Sequence, residues 1–73
     1  MLTENVVTGL TEGEIAPGLG RIQENYPRLT IGSYPYFKGG RLGVNIVIRT
    51  TDSLELNEVV GEIRKLLQQL GDK

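Results

Sequence analysis

The chain has no cysteine and no histidine, and most routes to unaided chemistry are missing with them. Without cysteine there is no disulfide framework and no thiolate metal site. Without histidine, no serine has its usual base and no ligand cluster can form around an imidazole. No window approaches the ~20 apolar residues of a membrane span. The start Met1-Leu2-Thr3-Glu4-Asn5 also lacks the basic residues and apolar run of a secretory leader. A cytoplasmic location is the default expectation, with no membrane partner. At 73 residues the chain predicts one small domain, near the size where a single core is only marginally sufficient without staples.

Acidic residues are missing from the middle of the chain. Up to Asn25, Glu4, Glu12, Glu14 and Glu24 face only Arg21, and from Asp52 onward five acids oppose Arg64, Lys65 and Lys73. Between them, Tyr26 to Thr51 holds Arg28, Lys38, Arg41 and Arg49 with no acid at all. This basic ribbon between acidic flanks is suited to an anion such as a nucleotide phosphate. The blander reading is a solvated hairpin that balances acidic helices.

Periodicity predicts the order β-α-β-β-α. Asn5 to Leu10 reads as a short β-branched strand, followed by a capping box in Thr11-Glu12-Gly13-Glu14, with Leu10 and Ile15 placed to staple the entry. Ile15, Leu19, Ile22 and Tyr26 continue at helical spacing. Pro17 predicts either a kink or a helix that begins near it, and Tyr26-Pro27 ends the helix. Arg28 to Tyr34 alternates, and Arg41 to Thr50 alternates more strongly, with Leu42, Val44, Ile46 and Ile48 on one face. Asp52 and Glu55 form a second capping pair before the wide apolar stripe of a helix from about Ser53 to Leu70, ended by Gly71. The fold class is α+β: a three-stranded mixed sheet, spatial order 1-3-2, with the long third strand central and both helices on one face.

Between the second and third strands lies Gly32-Ser33-Tyr34-Pro35-Tyr36-Phe37, read as an uncharged aromatic loop, then a flexible Lys38-Gly39-Gly40. A chain this small seldom leaves three rings together unless something covers them. Stiffened by Pro35, Tyr34, Tyr36 and Phe37 suit interface anchors better than a stacking site for a base or an isoalloxazine. Gly32 marks a bulge or a close approach, and Ser33 reads as a turn-stabilising hydroxyl. Gly40-Arg41-Leu42-Gly43 matches the G-x-x-G clamp of KH domains but begins a strand rather than joining two helices. Pro17-Gly18-Leu19-Gly20-Arg21 lacks the spacing of a phosphate loop, so its glycines are read as letting the helix approach the sheet. No carboxylate pair stands out as a general acid and base.

Glu14-Ile15-Ala16-Pro17, Tyr26-Pro27 and Ile31-Gly32-Ser33-Tyr34-Pro35, followed by an alternating strand and an amphipathic helix, resemble the small KH-like domain of CinA (competence/damage-inducible) proteins. The same arrangement is similar to the segment after the molybdopterin-binding-like domain in FAD-synthase-type proteins. The resemblance implies a non-catalytic accessory domain, a piece of a larger protein whose neighbouring domain carries nucleotide pyrophosphatase chemistry. It implies no catalytic residue, cofactor or metal in this chain, and a divalent metal and a nucleotide for the parent. The implied partner is the adjacent domain, with a homo-oligomeric parent as a further expectation. A single-stranded nucleic-acid-binding KH-like module is the alternative; low net charge argues against nucleic acid as a partner. A small enzyme acting alone is the third reading, and the missing acid-base inventory argues against it.

Overall fold

The computed structural model describes residues 1–71. Its elements are β1 (Leu2–Thr8), α1 (Glu12–Asn25), β2 (Thr30–Lys38), β3 (Arg41–Thr50) and α2 (Ser53–Gln69). The sheet order is β1-β3-β2 with β3 central, as the hydrophobic pattern predicts. Both pairings are antiparallel, so the sheet is antiparallel rather than mixed. The edge strands β1 and β2 run parallel to each other but are kept apart by β3.

The pleat sorts side chains cleanly because the register is regular across all three strands. Val6, Val44, Ile46 and Ile48 turn to the helices and are buried with Ile15, Leu19, Leu29, Leu56, Val59, Ile63 and Leu67. Leu42 shares that face but is 70 % exposed, because the end of the hairpin projects beyond the helices. Leu10, placed to staple the helix entry, is half-buried against this core beside the fully buried Ile15.

Helix α1 starts where its capping box sets it. The Thr11 hydroxyl accepts from the Glu14 N–H, and the Thr11 N–H donates to Glu14 Oε2 at 2.9 Å. Pro17 lies inside the helix rather than at its start. Its ring removes one donor, and the helix runs through to Asn25 because its buried stripe holds both sides of the gap. Of the two glycines expected to meet the sheet, neither does. Gly18 faces Leu66 of α2, and Gly20 has open space where a Cβ would lie. In α2, Asp52 Oδ1 accepts from the N–H groups of Leu54 and Glu55. Gly71, at φ 95°, follows the last turn.

Two strands are longer than their sequence pattern suggests. β1 begins at Leu2, where Leu2 to Asn5 pair with Thr50 to Val47. More consequentially, the expected aromatic loop is strand: β2 continues through Tyr34, Pro35, Tyr36 and Phe37 to Lys38. The connection is then only Gly39-Gly40, with φ of 61° and 77°, closed by the Lys38–Arg41 pair. Two consecutive positive φ values define the tight hairpin turn whose twist matches the strands, and glycine adopts them without penalty.

Pro35 fits within β2 because of where its missing donor falls. The Ile31 N–H leaves the ladder to donate to Gln23 Oε1 at 2.9 Å. The odd-numbered backbone groups of β2 therefore point away from β3, and Pro35 shares their side.

Candidate functional site

The two faces of the β2–β3 hairpin divide the residues singled out in the sequence. Tyr34 pairs with Asn45, Tyr36 with Gly43 and Lys38 with Arg41 on the helix-free face. Pro35 and Phe37 pair with Val44 and Leu42 on the other. The three rings are not one cluster: alternation sends Tyr34 and Tyr36 one way and Phe37 the opposite way.

On the helix-free face the tyrosines lie against glycine. A Cβ on Gly32 would sit 3.0 Å from Tyr34 Cε2, and one on Gly43 would sit 2.6 Å from Tyr36 Cζ. Gly32 is thus a close approach in an unbulged strand, and Gly43 belongs under a ring rather than in a nucleic-acid clamp. An aromatic ring covering a strand glycine restores the packing that the glycine lacks. Asn45 stands between Val7 of β1 and Tyr34 of β2 in the cross-strand row, with its Oδ1 shielded and without a hydrogen-bond partner. Val47 occupies the next row between Asn5 and Gly32.

The basic ribbon is split by the fold. Lys38 and Arg41 close the hairpin. Arg49 lies at the far end of the same face, flanked by Thr3 and Thr30, while Arg28 is in the turn that leads into β2. Glu4, the acid of β1, shares the helix-side parity of Val6 and Thr8.

On the helix side, the hairpin end is apolar and uncovered. Phe37 is 69 % exposed, and a shallow groove of about 130 Å³ is lined by Leu10, Pro35, Leu42 and Val44 with Thr11 and Glu12 at the start of α1, and is bordered by Tyr36 and Gly43. Ser33 is in the strand rather than in a turn, and its hydroxyl donates to Glu12 Oε1 at 3.2 Å. That bond ties α1 to the edge strand and gives Ser33 a structural partner.

Two further polar features are structural. Gln23, unmarked by any sequence motif, donates through Nε2 to the carbonyls of Leu29 (2.7 Å) and Tyr26 (3.1 Å) and accepts from Ile31 N–H. One carboxamide thus replaces the ladder partners that the start of β2 lacks. Tyr26, the C-cap of α1, reaches the acidic side of α2. A hydrogen bond to Glu62, burial and the charges of Glu62 and Glu58 raise its phenol above the ordinary 10.0.

Between the helices an open groove of about 320 Å³ is lined by Gly18, Ile22 and Leu66 with Arg21, Glu62 and Lys65. Among the described residues no group of three or more His, Cys, Asp or Glu could hold a metal ion, and no helix is long and apolar enough to cross a membrane.

Compared with known proteins, residues 1–71 match the family model described as FAD synthase, middle domain. Neither the curated proteins nor the solved structures gave a match.

Proposed function

The chain belongs to the FAD synthase middle-domain family, and from that premise we propose that it is a non-catalytic module that docks on an adjacent domain of a FAD-synthase-type protein. The observation that carries this reading is the extent of the match, which takes in residues 1–71 and so the whole described fold, to a family described as a middle domain. The hairpin end supplies the contact. Phe37 and Leu42, at 69 % and 70 % exposure, flank the groove of Pro35 and Leu10, and rigid apolar anchors of this kind are what interfaces use. The resemblance to CinA-type proteins extends the proposal to a nucleotide-handling parent with a molybdopterin-binding-like neighbour, whose metal and nucleotide this chain would not itself bind.

Hydrogen exchange tests the docking. The Ser33 and Phe37 amides face away from β3 and have no ladder partner, so they report what covers that edge. Joining the adjacent domain should slow exchange at Phe37 and weaken on Leu42→Ala substitution. Unchanged exchange at both amides would remove the proposal.

A further inference from the structure

We propose that the helix-free sheet face binds single-stranded nucleic acid, with Tyr34 and Tyr36 as stacking platforms and Lys38, Arg41 and Arg49 as phosphate contacts. This rests on the geometry of that face and not on the docking of the hairpin end.

The first observation is how the rings lie. Tyr34 leans on Gly32 and Tyr36 on Gly43, so that a Cβ would be tight against the first ring and collide with the second. A ring laid on backbone turns its other π-face outward, and Tyr34 remains 56 % exposed. Outward π-faces are what bases stack on, with little regard to sequence. The second is their spacing. Residues two apart on a strand are ~6.7 Å apart, about twice the ~3.4 Å rise of stacked bases. Each ring would take its own splayed base, which a single strand allows and a duplex does not.

The third observation is charge. Lys38 and Arg41 stand at one end of the face and Arg49 at the other, about 26 Å along β3 at ~3.3 Å per residue. No carboxylate from the three strands points to this face, since Glu4 is on the helix side. The chain's net charge of −1 therefore does not describe the surface a ligand would meet: the other acids among the described residues sit on the helices and their caps. Finally, neither groove described above is lined by Tyr34, Asn45 or Val47, although Tyr36 also borders the one at the hairpin end. An extended strand gains over a free nucleotide by reaching both charged ends.

The test is fluorescence anisotropy of a labelled single-stranded oligonucleotide of about ten nucleotides with the intact chain. Neutralising three phosphates predicts a log–log salt slope near −2, so binding should weaken about 20-fold between ~50 and ~200 mM salt. Arg41→Gln should make the slope shallower by about 0.7. Tyr34→Ala and Tyr36→Ala should weaken binding on the order of tenfold with the slope unchanged. Tyr34→Phe, which keeps the ring and the fold, should bind as the parent chain does. No binding at low salt would overturn the proposal. So would equal affinity for duplex, full displacement by a stoichiometric nucleoside monophosphate, or indifference to both Arg41→Gln and the tyrosine substitutions. Occlusion of Tyr34 and Tyr36 by the adjacent domain, with the oligonucleotide excluded, would overturn it as well.

Discussion

Gly18 of α1 faces Leu66 of α2 so closely that a Cβ at position 18 would lie 2.5 Å from Leu66 Cδ1 and 2.6 Å from Cδ2. In an exposed helix, Gly→Ala is favourable by about 1 kcal/mol. Here both methyls of Leu66 stand in the way and its Cγ is only 3.1 Å off, so the whole side chain must shift from its packed position, and overpacking costs roughly 1–3 kcal/mol. Gly18→Ala should therefore lower the denaturation midpoint. The same substitution in a Leu66→Ala background should raise it. A double-mutant cycle that shows no coupling would contradict the close helix contact.

Ile63 is fully buried, Phe37 largely exposed, and Tyr36 less exposed than Phe37 because its ring covers Gly43. Ile63→Ala should cost about 2–5 kcal/mol, against a total near ~5 kcal/mol for a core this small, and leave the chain largely unfolded. Phe37→Ala should stay within about 0.5 kcal/mol of the parent. Tyr36→Ala should fall between them, near ~1 kcal/mol. Thermal unfolding followed by circular dichroism gives the ranking, and a Phe37 variant as damaged as Ile63→Ala would place the hairpin end in the core.

Gln23 holds the start of β2 through one carboxamide. Gln23→Ala leaves the Leu29 carbonyl and the Ile31 N–H without their partner, while the Tyr26 carbonyl keeps the Leu29 N–H, for a loss of about 2 kcal/mol after water compensates in part. The local signature is sharper than the global one. Exchange of the Ile31 amide should accelerate more than that of any residue in β3, and equal acceleration throughout the sheet would point to global destabilisation instead.

Tyr26 should make the fold sensitive to alkali. Its phenol is held above 10.0 by the Glu62 hydrogen bond, burial and the Glu62 and Glu58 charges. The folded state thus keeps its proton longer than the unfolded state. The contribution is fully present below pH 10 and is lost as pH rises from the unfolded value through the folded one. The stability difference between the parent chain and Tyr26→Phe should narrow above pH 10. In Glu62→Gln the phenolate absorbance should appear at lower pH; an unmoved titration would show that Glu62 does not bond Tyr26.

The sequence was most legible where one face is buried along a whole element. β3 has the predicted bounds, α2 starts after its predicted Asp52 cap, and the Thr11–Glu14 box forms as read. What stayed hidden depends on partners distant in the chain. Leu2-Thr3-Glu4 shows no alternation of its own and becomes strand by pairing with the end of β3. Tyr34 to Phe37, with three uncharged rings around Pro35, has the look of a loop, yet on an edge the proline's absent donor faces outward and the strand continues. Gly18 was recognisable as a packing glycine, but helical period cannot say whether sheet or helix lies opposite. Gln23 carries no motif; its role exists only because the chain returns eight residues later to meet it.

The orientation of Pro35 also governs how copies of this chain can join. A strand added to the outer edge of β2 would find no donor at Pro35 and Gln23 already occupying Ile31, whereas β1 carries no proline. Growth of the sheet is therefore one-sided. Two chains paired through β1 would form a doubled sheet whose outer rims are both β2, each a poorer template for a further strand because Pro35 offers no donor and Ile31 is occupied. Edge-to-edge pairing is therefore disfavoured at β2, and a proline in an edge strand guards against fibre formation.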